Sequence, residues 1–159
     1  MEMKDYLLSV TAANHSGVLL RIAGLFSRRC YNIKSIVAAQ TEDTEHSRMI
    51  IVVQGDAREA RQVVKQLMKL QEIEQVEVLN RETAVVREHL LLKVRYSEET
   101  SEKLVAIANV FHAGILSVTK NSMIVELTGD GSVLDSFGEL FQPYGVEKIL
   151  RTGAMAMEK

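Results

Sequence analysis

Asn14-His15-Ser16-Gly17 places an amide, an imidazole, a hydroxyl and a backbone without Cβ directly ahead of an apolar periodic segment. The first N–H groups of a helix lack intrahelical acceptors and can hold a carboxylate, so the chemistry available at this point is anion recognition. Gly17 lets a ligand approach the backbone, and Asn14 offers both a donor and an acceptor, which suits a zwitterionic amino acid. The same four residues also read as an ordinary helix start, with Ser16 or Asn14 capping and Gly17 turning. The residues alone leave both readings open.

Other chemistry is sparse. No P-loop, G-x-S-x-G, H-E-x-x-H, C-x-x-C or G-x-G-x-x-G spacing occurs, so a catalytic reading has no motif to stand on. His15, His46, His89 and His112 are scattered and show no metal-ligand spacing, so no metal is expected. Cys30 falls at a helix end, where the dipole does not favour a thiolate, and reads as a small packing residue. Glu98, Glu99 and Glu102 suit the first turn of a helix, and Arg21, Arg28, Arg29 and Arg48 read as a solvated face or a cationic patch.

These residues need elements to position them. Tyr6, Leu8 and Val10 alternate as in a strand, and Leu19, Ile22, Ala23 and Phe26 follow at helical spacing. Ile33, Ser35, Val37 and Ala39 alternate again, Thr41 to Glu45 is an acidic turn, and Met49 to Val53 is an unbroken strand-forming run. Ala60, Val63, Val64 and Leu67 mark a second helix, and Val76 to Leu79 a closing strand, giving β-α-β-β-α-β over residues 1–80. The same order returns over 84–159. Strands around Leu90 to Val94, Ile115 to Val118, Met123 to Leu127 and Val146 to Leu150 enclose helices bearing Leu104, Ala108 and Phe111, then Val133, Phe137 and Phe141. Gly153 onward reads as a short tail. The fold class is therefore α+β, with two ferredoxin-like βαββαβ units. A strand as apolar as Met49 to Val53 buries both faces, so the sheet face away from the helices needs a cover, either the second unit or a second copy.

Composition narrows the class further. The chain has 159 residues, 47% apolar, 25% charged, with a net charge of −2. That balance lacks the concentrated positive field that phosphate backbones attract, so nucleic acid is not an expected partner. Charged residues precede only a brief apolar stretch at the N-terminus, and Cys30 has no partner for an internal disulfide. Both point to a cytoplasmic protein with no membrane span.

Asn14-x-Ser16-Gly17-Val18-Leu19-x-Arg21-Ile22-x-Gly24-Leu25-Phe26-Ser27-x-Arg29-x-Tyr31-Asn32-Ile33, with Ser47-Arg48-Met49, closely resembles the regulatory small subunit of acetohydroxyacid synthase, also called acetolactate synthase. Phe111-x-x-x-Ile115-x-x-Val118, Glu126-Leu127-Thr128-Gly129, Leu134-Asp135-x-Phe137 and Arg151-x-Gly153 extend the likeness through the second half. The first half by itself resembles an ACT domain, an amino-acid-sensing module. The departures are His15, where an acid is common, and Cys30, where glycine is common.

The resemblance implies a chain that is not an enzyme. Its N-terminal ACT domains would pair as a homodimer. A branched-chain amino acid, typically valine, would bind between the loop of one subunit and a helix of its neighbour, at Asn14, Gly17, Val18, Asn32 and Ile33. The implied partner is a catalytic large subunit that uses thiamine diphosphate, magnesium and FAD, cofactors this chain would not carry. Activation of that partner with feedback inhibition is the first functional reading. The second is a free-standing double-ACT regulator of transcription or signalling.

Overall fold

The computed structural model describes residues 3–159. The elements run β1 (Lys4–Ala13), α1 (Val18–Arg28), β2 (Asn32–Gln40), β3 (His46–Gly55), α2 (Ala57–Leu67), β4 (Ile73–Leu79), β5 (Ala84–Arg95), α3 (Glu98–Val110), β6 (Gly114–Val118), β7 (Ser122–Gly129), α4 (Gly131–Phe141), β8 (Val146–Arg151) and β9 (Met155–Glu158). A single 3-10 turn, Gln142–Tyr144, follows α4 where Pro143 ends the helix. Two compact units result: Met1–Val86 with Gly153–Lys159, and Arg87–Thr152. β5 therefore starts in the first unit and continues in the second.

The first unit is built on a four-stranded antiparallel sheet ordered β2-β3-β1-β4. Period-two alternation sends Leu8, Val10 and Ala12 of β1 and Met49, Ile51 and Val53 of β3 to the face where Ile22, Phe26, Val63 and Leu67 of the helices pack. Ile50 and Val52 go to the opposite face, and they are buried as well. There they join Leu7, Leu79, Ala84, Val86 and Ala154 in a second small core. Thus the continuous apolar run of β3 has a cover on each side.

The residues from Gly153 onward, read in the sequence as a tail after the second domain, supply part of that cover. β9 pairs with β5, and the Lys159 N–H donates to the Thr83 carbonyl at 3.0 Å. Ala154 is buried, and Ala156 packs at the edge of the same core. The alternation of small apolar residues with Met155 and Met157 makes this a strand, but four residues are too short for periodicity to reveal one. Gly153 turns the chain onto the sheet at φ 86°.

The second unit repeats the plan with sheet order β6-β7-β5-β8. Leu90, Leu92 and Val94 of β5 and Met123, Val125 and Leu127 of β7 face Leu104, Ala108, Leu134, Phe137 and Phe141. Phe137 sits edge-on to both Phe111 and Phe141, with ring centroids 5.2 and 4.9 Å apart. Such pairs add about 0.5–1.5 kcal/mol beyond their burial.

Candidate effector site

The first helix begins without a side-chain cap. Gly17 is its N-cap residue, at φ 89° in the left-handed region, and no side chain accepts from the helix start. The plain capping reading of Asn14 and Ser16 is thereby corrected. Asn14 turns instead to the acidic turn, its side-chain amide donating to the Thr44 carbonyl at 2.8 Å and its backbone N–H to the Glu45 carbonyl at 2.7 Å. α2 makes the contrast, since Asp56 accepts from the N–H groups of Arg58 and Glu59 while Glu59 accepts from the N–H of Asp56. One helix start in this unit is satisfied by its own side chains, and the other is left to water or a ligand.

Beside that uncapped start lies a cavity of about 230 Å³. Val18, Leu19, Ala38, Ala39 and Met49 form an apolar wall, and Asn14, His15, Gln40 and Ser47 bring polar groups to it. Val18 also belongs to the helix-face core, so its position is set by packing.

Asn32 and Ile33 are not brought to this cavity within one chain. They open β2 after α1 has ended, whereas the cavity meets β2 at Ala38 to Gln40. Six residues of strand separate Asn32 from Ala38, about 20 Å at the usual rise. Ile33 packs against the helix-face core, and Asn32 is exposed. The five residues expected at the site therefore form two groups at opposite ends of α1.

Between those ends, the turn out of α1 is a Schellman motif. Tyr31 N–H donates to the Phe26 carbonyl and Cys30 N–H to that of Ser27, with Tyr31 edge-on to Phe26. Cys30 takes the left-handed position at φ 55° and is exposed, not packed as its size and apolarity suggested. His112 plays the same part after α3, at φ 54°.

Sequence reasoning missed the group that steadies the turn opposite Asn14. The His46 ring stands between two carboxylates, with Nδ1 2.7 Å from Asp43 Oδ2 and Nε2 2.6 Å from Glu74 Oε1. The hydrogen bond to Asp43, then that to Glu74, raises the His46 pKa above its ordinary value. The N–H of Glu45, and next His46, holds the Asp43 carboxyl below the usual range. The only sequence signal was a histidine directly after an acidic turn; Glu74 is distant in sequence and comes near only by the β1–β4 pairing.

The arginines do not form one patch. Arg21 pairs with Glu72 near the start of α1, whereas Arg29, past its end, donates to Gln66. Among the described residues no group of three or more His, Cys, Asp or Glu is placed to hold a metal ion, and no helix is long and apolar enough to cross a membrane.

The βαββαβ order, the β2-β3-β1-β4 sheet with both helices on one face, and the glycine start of α1 define a protein of the ACT-domain class. Residues 8–75 match the family described as AHAS small subunit-like ACT domain, and residues 87–159 match the family described as small subunit of acetolactate synthase. The chain is 41% identical over 152 residues to a probable acetolactate synthase small subunit of Archaeoglobus fulgidus, covering 96% of this chain and 95% of that protein. It is 35% identical to the acetolactate synthase small subunit of Bacillus subtilis, over 96% of this chain and 90% of the relative. The crystal structure of the acetolactate synthase small subunit from Thermotoga maritima superposes with a TM-score of 0.91 at 35% identity, over 98% of each chain. The chain belongs to the small-subunit family of acetolactate synthase.

Proposed function

We propose that this chain is a non-catalytic regulatory subunit that raises the turnover of a catalytic acetolactate synthase subunit and confers feedback inhibition by a branched-chain amino acid, valine above all. The observation that carries the reading is the uncapped, glycine-initiated start of α1 beside a cavity with an apolar wall. Helix N–H groups receive the carboxylate, and Val18, Ala38 and Met49 receive a short aliphatic side chain. At about 30 Å³ of liquid volume per water, a cavity of about 230 Å³ equals roughly seven or eight waters, a volume on the scale of a small amino acid.

In this reading Asn32 and Ile33 act from a second copy, since within one chain they lie at the far end of α1. Two features support such a pair. β2 is an edge strand of its sheet, and Leu19 and Leu20 of α1 are exposed apolar residues that a second ACT domain would cover. Thiamine diphosphate, magnesium and FAD belong to the catalytic partner, and the complex acts in the cytoplasm, without nucleic acid or membrane as a partner.

The test is reconstitution of the full chain with a catalytic subunit. Expected are no acetolactate formation by this chain alone, a higher rate for the mixture, and inhibition by valine only in the mixture. Acetolactate formation by the isolated chain, or a partner whose rate and valine sensitivity ignore it, rejects the proposal. A free-standing sensor would bind the amino acid and leave the synthase unaffected.

A further inference from the structure

We infer that His46, bridging Asp43 and Glu74, is a positioning residue for the effector loop, and that its protonation strengthens amino-acid binding at Asn14 and Gly17. The inference rests on the assignment of that loop as the effector site.

With both carboxyl groups ionised, the geometry requires the charged ring. A neutral imidazole has one N–H and one acceptor nitrogen, yet both nitrogens of His46 lie at hydrogen-bond distance from carboxylate oxygens, 2.7 and 2.6 Å away. Only imidazolium donates to both. Loss of the proton leaves a lone pair facing a carboxylate, so one of the two links must open. The bridge is not local in sequence. Asp43 belongs to the turn between β2 and β3, and Glu74 lies in β4, on the far side of β1 in the sheet. The ring therefore ties the turn to the body of the sheet.

The turn in turn holds the effector loop. Asp43 Oδ1 accepts from the Glu45 N–H at 3.1 Å, fixing the Thr44–Glu45 peptide. The carbonyls of Thr44 and Glu45 then accept from the side-chain and backbone nitrogens of Asn14. A continuous path of hydrogen bonds runs Glu74, His46, Asp43, Glu45, Asn14. It ends three residues before the uncapped N-cap Gly17. The other charged groups on the elements about the ring include Glu42 and Glu45 of the turn, Glu72 ahead of β4 with its ion-pair partner Arg21 of α1, Glu77 further along β4, Lys4 and Asp5 at the far end of β1, His15 of the loop, and Arg48 further along β3. Among the described residues, only Asp43 and Glu74 bond to the ring.

The direction follows from linkage. The folded His46 pKa is raised, so the bridge is complete below the ordinary imidazole value of 6.5 and is lost as pH climbs through the raised folded value. Effector affinity must fall over that same range, because a site that binds better with His46 protonated also holds the proton more tightly. An effect of about fivefold is expected, the low end for coupled sites, since the ring is partly exposed.

Two measurements on the full chain decide the matter: NMR titration of the His46 ring together with the Asn14 side-chain amide, without ligand, and calorimetry with valine from about pH 6 to about pH 8.5. Expected are an Asn14 amide shift that follows the His46 titration, and a valine Kd that rises about fivefold on the alkaline side. Glu74→Gln is the decisive variant, because a Gln amide can donate to a neutral ring; it is expected to keep tight binding at high pH and to flatten the profile. His46→Gln is expected to bind weakly throughout, also without the pH slope. A merely structural role would lower affinity in either variant and leave the slope in place. The inference is overturned by a slope that survives His46→Gln, which would assign it to His15, by a wild-type Kd indifferent to pH, or by an Asn14 signal that ignores the His46 titration. Absence of valine binding at every pH would refute the effector-site assignment instead, while the NMR titration would still decide whether the bridge governs Asn14.

Discussion

Gly153 lies so close to Ser35 that a Cβ built on the glycine would stand 2.6 Å from the serine Cβ and 2.9 Å from its Oγ. The backbone at Gly153 is also left-handed, at φ 86°. Two separate costs thus bar a side chain from the point where the chain returns to the first unit.

Gly153→Ala is accordingly expected to lower stability by about 1–2 kcal/mol for the left-handed backbone and by about 1–3 kcal/mol more for the forced displacement. Ser35→Gly in the same chain is expected to restore the steric part alone. Thermal unfolding of the two single variants and the double variant separates the terms. Simple additivity would mean that the two residues do not meet.

Gly17→Asp tests the effector loop by charge. Beyond its two chain neighbours, a Cβ at Gly17 meets no atom within 4 Å, so the fold feels mainly the positive φ, which Asp tolerates better than most residues. A carboxylate at the helix start competes for the N–H groups that would bind the ligand. Loss of a charge-assisted hydrogen bond of about 1.5–3 kcal/mol raises the valine inhibition midpoint roughly ten- to a hundredfold, with activation of the partner retained. A midpoint that stays in place, measured in the reconstituted complex, removes Gly17 from the site.

Cys30→Gly is expected to stabilise the chain, contrary to the usual effect of adding glycine. Cys30 occupies the left-handed residue of a Schellman motif, where glycine avoids about 1 kcal/mol of strain. Part of that gain is offset by the greater freedom of the unfolded chain, so the net is about 0.5 kcal/mol. His112→Gly, at the equivalent turn after α3, is expected to behave alike. Chemical denaturation measures both, and a destabilised Cys30→Gly would show that the side chain makes contacts that outweigh the strain.

Most of the fold was legible because its signals are local. Alternation along β1 and the helical period through Ile22 and Phe26 are such signals, although the buried face of α1 is turned to Val18 and Leu25 and leaves Leu19 and Ala23 exposed; the repeat of the order in the second half makes each unit support the reading of the other. The uncapped start of α1 was not legible, because a capping residue type says nothing of which acceptor it will choose; Asn14 chose Thr44 and Glu45, some thirty residues away. The bridge at His46 and the docking of Ala154 failed to show for the same reason, each depending on partners that only the pairing of strands brings near. Cys30 was misread as a packing residue because position at a helix end does not reveal a left-handed φ.

Asp56→Ala is expected to lower the melting temperature at neutral pH and to have a vanishing effect in acid. The backbone N–H of Glu59, with that of Arg58, holds the Asp56 carboxyl below its ordinary value of 3.8 against the opposing effect of desolvation. A lowered carboxyl contributes stability above its unfolded value and loses it as pH falls through the folded one. Melting curves of both proteins from neutral pH down through the carboxylate range are expected to converge. Curves that remain equally far apart would mean that the charge on Asp56 contributes nothing to the cap.

The return of Ala154 and β9 to the first unit reverses the order of synthesis and completion. A ribosome makes β1 to β4 early, but the layer that covers Leu7, Ile50 and Val52 includes residues translated only after the whole of the second unit. Until those residues emerge, the nascent first unit carries an apolar sheet face with an incomplete cover, the kind of surface on which chaperones and stray chains settle. The half that is born first is completed only after the other has been made, so a message cut short just before Gly153 would damage the end of the protein far from the cut.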